Sequence, residues 1–301
     1  TTAVGIVTER IVLGSRGSEL ALAQTRLVET ALRRAWPELE VAIEIIRTSG
    51  DESSKAAAPI VDRKAGRKGM FTREIEKELL VRHIDIAVHS AKDLPSERSE
   101  ELEVVATLSR ANTEDVLVKK EETLPPGATV ATGSVRRQHQ LRLWRPDLAI
   151  VDLRGNVPTR LRKLRENEAW SGIILARAGL ERLGLDVPME ILSPNDFVPA
   201  GGQAIIALQI RRDDGRVRRI VEQANDRDAL VAFRAEIEFL RLLDGDCDSP
   251  VGVHAEVDGE NLHLRAQIFE DETSVPKVGN TSGASADPEA VARTLMHLIY
   301  G

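Results

Sequence analysis

Short apolar segments alternate with longer amphipathic segments over the first two thirds of the chain. The apolar segments have the length of buried strands, and the amphipathic ones have the spacing of helices with one core-facing side. This alternation is typical of a doubly wound parallel sheet, and it occurs twice, which predicts two α/β units in series. The predicted strands are 11–14, 41–46, 84–88, 116–118, 128–131, 149–153 and 172–176, with another at 204–210 that could return to the first unit.

The amphipathic segments also predict which side chains the helices bury. Ser18 is the expected N-cap of the first helix, and Asp287 with Pro288 begins the last one. The expected core faces are Leu20, Ala23, Leu27 and Ala31 in the first helix, Phe71, Ile75 and Leu79 in the second, Leu230, Phe233, Ile237 and Leu240 in a helix from Asp228, and Val291, Leu295 and Leu298 in the last.

The last part of the chain has a different pattern. Strand-like segments follow one another at 251–257, 262–269 and 274–278 before the final helix, which predicts a small α+β domain. Two connecting segments also differ from their surroundings. Residues 50–69 form a long polar segment that is expected to be a lid or a disordered loop, and Gly201-Gly202-Gln203 is expected to be a hinge.

Charge is unevenly distributed along the chain. The formal net charge is −7, yet residues 131–165 contain nine arginines and lysines and only two aspartates. A positive island on an acidic protein favours a bound anion of defined shape over a long polyanion, although solvated helix faces account for part of it. Aromatic residues make up 3% of the chain, which leaves few for stacking on bases, so we expect no nucleic-acid partner.

Three features bear on the compartment in which the protein works. No apolar run approaches the length of a membrane span, and the first residues lack the pattern of a signal peptide. One cysteine in 301 residues fits a reducing compartment. We therefore expect a cytoplasmic protein with no membrane partner.

The single cysteine, Cys247, has two interpretations. Free cysteine is often buried as a small apolar side chain, and one cysteine forms neither an internal disulfide nor a good metal site, so we expect no metal. Aspartates at 244, 246 and 248 flank Cys247, and Gly245 precedes it, which favours a loop. The residues alone leave both a buried apolar side chain and a reactive thiol open.

A polar segment, His89-Ser90-Ala91-Lys92-Asp93, directly follows a predicted strand. Asp93 is a candidate for acid–base work, and Lys92 is a candidate for pairing with an anion. A serine hydrolase is disfavoured because His89 and Ser90 are adjacent and no Gly-x-Ser-x-Gly turn is present. A capped turn with solvated charges is an equal alternative on these residues alone.

Other strand-to-helix turns carry arginines. Ser134, Arg136 and Arg137 open one predicted helix, Arg154 precedes the next, and Arg16 follows the first strand. Backbone amides at a helix N-terminus, with guanidinium groups beside them, suit the binding of carboxylates or phosphates. Arginine rather than lysine favours planar, bidentate recognition of a carboxylate.

Taken in order, these motifs resemble the hydroxymethylbilane synthase family, also called the porphobilinogen deaminases. The resemblance extends across nearly the whole chain. Its blocks are residues 15–22, 68–71, 89–95, 133–138, 154–161 and 173–180, together with the loop that contains Cys247.

The resemblance implies a transferase that polymerises four porphobilinogen molecules into the linear tetrapyrrole hydroxymethylbilane, releasing ammonia, in tetrapyrrole (heme and porphyrin) biosynthesis. It implies a dipyrromethane cofactor held by a thioether on Cys247, with Asp93 as the catalytic carboxylate. The other cofactor-binding residues implied by the match are Ser90, Lys92, Ser134, Arg136, Arg137 and Arg160. The implied substrate-binding residues are Arg16, Ser18, Lys68, Arg154, Arg182 and Gln203.

The family also implies an architecture. It is an α/β fold of two doubly wound, periplasmic-binding-protein-like domains around a cleft, plus a small C-terminal α+β domain. On this sequence we expect domain 1 at 1–108 and 202–218, domain 2 at 109–201 and domain 3 at 219–301. Domain 3 would deliver the cofactor, the 50–69 segment would be the lid, and the protein would act as a monomer.

A solute-binding protein is the alternative from another functional class, since it also consists of two α/β halves around a hinge. Such a protein would normally be exported, and this function would leave the third domain and its cysteine without a role. The chain departs from the family pattern at Ala91, Gln209 and Asp246, where methionine, an acidic residue and glycine are usual. None of these departures removes a catalytic group.

Overall fold

The computed structural model of the protein describes residues 9–48, 72–244, 250–270 and 275–301. In chain order its strands are β1 (Arg10–Arg16), β2 (Glu40–Ile46), β3 (Ile86–Ser90), β4 (Leu102–Thr107), β5 (Asp115–Lys119), β6 (Thr129–Ala131), β7 (Ala149–Val151), β8 (Gly172–Ala176), β9 (Met189–Ile191), β10 (Ile206–Arg211), β11 (Val251–Asp258), β12 (Asn261–Ile268) and β13 (Lys277–Ala284). Its helices are α1 (Glu19–Ala35), α2 (Arg73–Leu80), α3 (Val135–Trp144), α4 (Val157–Glu166), α5 (Arg177–Arg182), α6 (Gly215–Glu222), α7 (Arg227–Leu242) and α8 (Pro288–Tyr300).

The first sheet has the strand order β2-β1-β3-β10-β4. β1 runs parallel to β2 and β3, whereas β10 is antiparallel to both of its neighbours. The main core of this unit contains apolar side chains from all five strands and from α1 and α6. The strand predicted at 204–210 is therefore confirmed as β10, and it does return to the first unit.

The second sheet has the order β7-β6-β8-β5-β9, with β6 parallel to β7 and β8 and β5 antiparallel to β8 and β9. Successive residues of β5 enter different apolar clusters, because side chains alternate between the two faces of a sheet. Val116 and Val118 pack in the cluster that includes the α4 leucines, and Leu117 packs in the cluster that includes Leu141 of α3. Both faces of this sheet are thus covered, as the doubly wound prediction requires. The expectation of wholly parallel sheets is wrong, because β10 in the first sheet and β5 in the second run antiparallel to both of their neighbours.

The C-terminal unit is an antiparallel sheet of three strands, β11-β12-β13, packed against α7 and α8. Asp226 caps α7 by accepting a hydrogen bond from the Ala229 amide at 2.9 Å, and Asp287 caps α8 from the Ala290 amide at 3.0 Å. The predicted fold class, two doubly wound α/β units plus a small C-terminal α+β unit, is confirmed. Within the described residues, no helix has both the length and the apolar character to span a membrane.

Several details of the predicted helix faces are wrong. In α1 the buried side chains are Gln24, Thr25, Val28 and Leu32, and Leu27 is 45% exposed. The buried face is displaced because it includes polar residues that hydrogen-bond inside the protein, and a hydrophobic pattern does not detect these. Leu298 of α8 is likewise 63% exposed, whereas Ile75 and Leu79 of α2, Phe233 of α7, and Val291 and Leu295 of α8 are buried as predicted.

The third strand of the C-terminal sheet is also displaced from its predicted position at 274–278. The exposed side of β13 carries Val278, Asn280, Ser282 and Ala284, and glycines at 279 and 283 lie on the other side. A Cβ at Gly279 would stand 2.6 Å from a side-chain carbon of Ile299, and one at Gly283 would stand 2.7 Å from Val291. The α8 side chains thus fill the space of the missing Cβ atoms, so this strand buries little hydrophobic surface of its own. The 50–69 lid, Phe71 and Gly245 lie outside the described residues.

Candidate active site

The turn that follows β3 carries two charged side chains. Residues Ala91–Asp93 form one turn of 3-10 helix directly after the strand. The Ala91 amide donates to the Ile205 carbonyl at 3.0 Å, which fixes the turn beside the start of β10. Lys92 and Asp93 therefore stand at the carboxyl end of a central strand, where α/β sheets usually bind ligands.

Asp93 and Arg16 approach each other across this edge of the sheet. Arg16 ends β1, and its Nη1 lies 3.9 Å from Asp93 Oδ2. Ser18 caps α1, where its Oγ accepts from the Ala21 amide at 3.3 Å, and Ser90 Oγ donates to Gln24 Oε1 at 3.0 Å. A cavity of about 90 Å³ at this point is lined by Arg16, Ser18, Leu20, Ala21, Gln24, Thr72, Val88, His89, Ser90, Lys92 and Asp93.

His89, the residue before Ser90, has a defined protonation state. Gln209 Nε2 donates to Glu76 Oε1 at 3.0 Å, so its Oε1 is the atom that faces His89 Nε2 at 2.9 Å. The His89 Nε2 must then carry the proton, since an amide oxygen only accepts. Burial, with a smaller contribution from the charge of Arg16, lowers the pKa of His89 to about 4 despite the hydrogen bond to Gln209. His89 is therefore neutral at physiological pH and is a poor candidate for the acid in this site.

Arg136 and Arg137 of the second unit both bind a buried carboxylate, Asp115, which the sequence patterns did not predict as a site residue. Asp115, the first residue of β5, accepts from Arg136 Nη1 and Arg137 Nη2, both at 2.7 Å, and from Gln203 Nε2 at 2.9 Å. Burial raises the pKa of Asp115, but the two guanidinium groups outweigh it and hold this pKa well below its usual range. Ser134 caps the helix that carries both arginines, with its Oγ 3.5 Å from the Arg137 amide.

Arg136 and Arg137 differ in how far the protein occupies their guanidinium groups. Arg136 Nη1 also donates to Gln140 Oε1 at 2.8 Å and to the Val198 carbonyl at 2.9 Å. Arg137 Nη1 donates to the Ile174 carbonyl at 3.1 Å, but its Nε is buried without a hydrogen-bond partner in the described structure. Arg137 thus retains a donor for a ligand, whereas the contacts of Arg136 are largely internal.

Two further cationic side chains, Lys92 and Arg160, interact electrostatically with Arg137. Burial lowers the pKa of Lys92 to about 8, and the charge of Arg137 contributes to this shift. Burial lowers the pKa of Arg160 to about 10, again with a contribution from Arg137, while Asp93 acts in the opposite direction. Charges from both α/β units therefore influence one another at this site, and the positive ones outnumber Asp93 and Asp115.

The remaining predicted residues are placed less centrally. Arg154 pairs with Asp152 at 2.9 Å and is more than half exposed. Arg182 Nη2 donates to the Ala204 carbonyl at 2.5 Å, and burial lowers the pKa of Arg182 to about 10. Lys68 and Cys247 lie outside the described residues. Nowhere in the part of the chain that the structure describes do three His, Cys, Asp or Glu side chains group as metal ligands would.

The arrangement suits one kind of chemistry. Several fixed cations in a partly buried site bind a ligand with several carboxylates, because each charge-assisted hydrogen bond is stronger there than in water. A carboxylate at the same place stabilises positive charge that develops on a bound group. The site therefore favours a polycarboxylate substrate that passes through a cation.

Comparisons with known proteins agree with this chemistry. Residues 11–219 match the family model described as "Porphobilinogen deaminase, dipyromethane cofactor binding domain", and residues 230–300 match "Porphobilinogen deaminase, C-terminal domain". A porphobilinogen deaminase of Syntrophomonas wolfei is 43% identical over 288 residues, covering 94% of this chain and 92% of that one. One of Syntrophobacter fumaroxidans is 40% identical over 314 residues, covering 98% of this chain and 99% of that one.

Among solved structures, the methionine binding protein MetQ aligns with 71% of this chain and 89% of its own, at 13% identity and a TM-score of 0.42. The two family models together account for both α/β units and the C-terminal unit. The chain belongs to the porphobilinogen deaminase family.

Proposed function

We propose that the chain joins four porphobilinogen molecules into the linear tetrapyrrole hydroxymethylbilane, releasing ammonia at each addition, on a covalently bound dipyrromethane cofactor. The observation that carries this proposal is the approach of Asp93 to Arg16, together with the influence of the Asp93 charge on the pKa of Lys92 in the first α/β unit and of Arg160 in the second. Porphobilinogen bears an acetate and a propionate arm, and the growing chain accumulates these carboxylates. The reaction passes through a pyrrole-derived cation, which a nearby carboxylate stabilises.

The residues present fit a dipyrromethane. Such a group carries several carboxylates, and the site has an excess of positive charge: burial first, and then the charge of Arg137, lowers the pKa of Lys92 and of Arg160. Arg137 Nε is buried without a hydrogen-bond partner among the described residues, so a ligand carboxylate would satisfy it. Lys92, Arg137 and Arg160, with Ser90, Ser134 and Arg136, would hold this group, and Cys247 would tether it. When bound, it supplies the pyrrole carbon to which the first substrate is joined.

Asp93 would be the catalytic residue of each addition. Its carboxylate would lie against the cation that forms when ammonia departs, and it would accept the proton that leaves the pyrrole ring after the new bond forms. Arg16 would bind a substrate carboxylate beside it, so that the substrate is oriented by its acidic arms rather than by its reacting carbon. The other proposed substrate-binding residues are Ser18, Lys68, Arg154, Arg182 and Gln203.

We also propose the following division of the chain. Domain 1 comprises residues 1–108 and 202–218, domain 2 comprises 109–201, and domain 3 comprises 219–301. The course of β10 supports the split of domain 1, because that strand pairs with β3 and β4. The enzyme would act as a monomer in the cytoplasm without a nucleic-acid partner, which its formal net charge of −7 supports.

Intact-protein mass spectrometry tests the tether directly. The protein purified from cells that make porphobilinogen should be heavier than its sequence by two pyrrole units, and Cys247→Ser should have the mass of the sequence alone. Ammonia release by Cys247→Ser should fall to background, because elongation has no primer. An adduct of two pyrrole units retained by Cys247→Ser would contradict the assignment of Cys247, and an active wild-type protein without an adduct would contradict the cofactor.

The lowered pKa of Lys92 predicts how cofactor uptake depends on pH. Because this pKa is about 8, Lys92 is charged below pH 8 and loses its charge above it. A charge-assisted hydrogen bond contributes about 1.5–3 kcal/mol, so uptake by apoprotein incubated with porphobilinogen should be about tenfold slower at pH 9 than at pH 7. Lys92→Arg should remove most of this difference, because arginine stays charged. The half-time of the increase in protein mass measures the rate of cofactor uptake. An equal pH effect in the wild type and in Lys92→Arg would contradict the role of Lys92.

A further inference from the structure

A second buried carboxylate, Glu236 of α7, lies outside the candidate site. Its side chain is completely enclosed and accepts hydrogen bonds from four donors. Arg110 donates through Nη1 at 2.7 Å and Nη2 at 3.1 Å, and the backbone amides of Gly202 and Ala255 donate at 2.7 Å each. These bonds use the accepting capacity of both oxygens. Burial raises the pKa of Glu236, but Arg110 and His254 outweigh it, so the group stays ionised.

Glu236 joins four separate segments of the chain. It belongs to α7 of the C-terminal unit, and Ala255 belongs to β11 of the same unit. Arg110 lies in the connection between β4 and β5, which links the two α/β units, and Gly202 lies in the turn before β10. Arg110 strengthens the junction, since its Nε donates to the Gln203 carbonyl at 3.1 Å and its Nη1 donates to the Ala255 carbonyl at 3.1 Å.

The turn at residues 201–204 touches the part of the site that belongs to the first unit. Gly202 has φ +74°, and a Cβ added there would stand 2.8 Å from both the Ala91 carbonyl carbon and the Lys92 amide nitrogen. Ala91 and Lys92 belong to the turn that presents Asp93. The two turns are in tight van der Waals contact, so a displacement of Gly202 displaces the backbone that carries the catalytic carboxylate.

The same turn also touches the part of the site that belongs to the second unit. Gln203 Nε2 donates to Asp115 Oδ1 at 2.9 Å and to the Thr113 carbonyl at 2.8 Å. Asp115 is the carboxylate that holds Arg136 and Arg137. The 201–204 turn therefore contacts both halves of the site, and Glu236 anchors it from the third unit.

We propose that Glu236 is a positioning residue for the polymerisation reaction: by holding the 201–204 turn, it fixes the Asp93 turn relative to the arginine pair. This inference rests on the proposed function. Glu236 touches no reacting atom and acts through Gly202 and Gln203. Small displacements of catalytic groups lower the rate strongly: a displacement of about 1 Å reduces it on the order of a hundredfold.

Glu236→Gln is the primary test, because it keeps the shape of the side chain and replaces one accepting oxygen by a donor. That donor would face Arg110 or a backbone amide, so the turn would lose one anchor. The holoenzyme should show a kcat about 30- to 100-fold lower, with KM for porphobilinogen changed by less than about threefold, since Arg16, Ser18 and Arg154, among the proposed substrate-binding residues, lie outside both turns. Glu236→Asp, which retains the charge on a shorter side chain, should recover part of the lost kcat.

Glu238→Gln is the matched control. Glu238 lies on the same helix, its side chain is also buried, and it forms ion pairs with Arg98 at 3.0 Å and Arg241 at 2.8 Å. Neither partner is hydrogen-bonded to the 201–204 turn in the described structure. Glu238→Gln should be destabilised in urea unfolding, as Glu236→Gln should be, but it should keep the kcat of the wild type.

Two outcomes would overturn the proposal. One is a Glu236→Gln holoenzyme with wild-type kcat, and the other is an equal loss of kcat in both glutamine variants, which would reduce the effect to stability. If Glu236→Gln yields no folded protein, Gly202→Ala replaces it, because that variant keeps the ion pair and pushes on the Ala91–Lys92 backbone. It should show the same fall in kcat at unchanged KM, and wild-type kcat would contradict the proposal. A wild-type holoenzyme that releases no ammonia would instead refute the proposed function.

Discussion

Asp93→Ala is expected to lower the rate of ammonia release from porphobilinogen about a thousandfold, the loss typical of a group that stabilises charge and transfers a proton in the transition state. The physical reason is the charge balance of the site. Without Asp93, the developing cation would face Arg16, Lys92 and Arg160 with no anion beside it. The covalent adduct should also be affected, because its assembly uses the same chemistry, so activity should be reported per adduct measured by mass.

Two variants bracket this result. Asp93→Glu keeps the charge but moves it by one methylene, and we expect activity between that of the wild type and that of Asp93→Ala. Asp213→Ala removes an exposed aspartate that pairs with Arg82 at 3.0 Å, and it should leave the rate unchanged. A wild-type rate for Asp93→Ala, in protein that carries the adduct, would refute the catalytic assignment.

Asp115→Asn is expected to destabilise the protein by about 3–5 kcal/mol, because it leaves two buried guanidinium groups without their counter-charge. Arg136 and Arg137 are each about 5% exposed, so water cannot replace the lost carboxylate. The stability loss should appear in urea unfolding at pH 7. Activity should fall as well, since the orientation of Arg137 and of Gln203 depends on the same carboxylate.

The pH dependence of unfolding separates this effect from a general loss of packing. The pKa of Asp115 is held below its ordinary value of 3.8, so the stability that its charge contributes is present above about pH 4 and is lost as the pH falls through the lowered pKa. Asp115→Asn should lack this acid-sensitive contribution to the free energy of unfolding. The difference in that free energy between the wild type and Asp115→Asn should therefore become smaller below pH 4. Asp147→Asn is the control, because Asp147 pairs with Arg145 at the surface of the same unit. This substitution should lower the free energy of unfolding much less than Asp115→Asn does. A loss for Asp115→Asn no larger than for Asp147→Asn would contradict the role of Asp115.

The fold was predictable from the sequence where hydrophobic burial dominates. β1, β3, β5 and β8 are short apolar strands that are buried on both faces, and their pattern marks them without further information. The N-caps Ser18, Ser134 and Asp287 were predictable for a local reason, since each bonds an amide three residues ahead. Prediction failed on the buried face of α1 and on β13, where polar side chains and glycines replace the expected apolar ones.

The candidate site was predictable only in part. Lys92, Asp93 and the arginine-bearing turns follow strands directly, so their positions at a sheet edge could be expected. Asp115 and Glu236 gave no such signal. Asp115 is the first residue of an otherwise ordinary apolar strand, and Glu236 lies in an amphipathic helix. Their partners are distant in sequence: Arg136 binds Asp115, and Arg110 binds Glu236. A buried charge is recognised by what surrounds it, and the chain order does not contain that information.

The position of β10 has a consequence for how the chain is made. Because β10 lies between β3 and β4, β3 has no hydrogen-bonded neighbour on that side until residue 211 has left the ribosome. The second sheet consists of residues 115–191 and is complete earlier, so during synthesis it can fold before the unit that precedes it in sequence. Until β10 has been synthesised, β3 and β4 each have an unpaired edge. The interval of translation before residue 211 emerges is therefore the one in which a chaperone would be needed most.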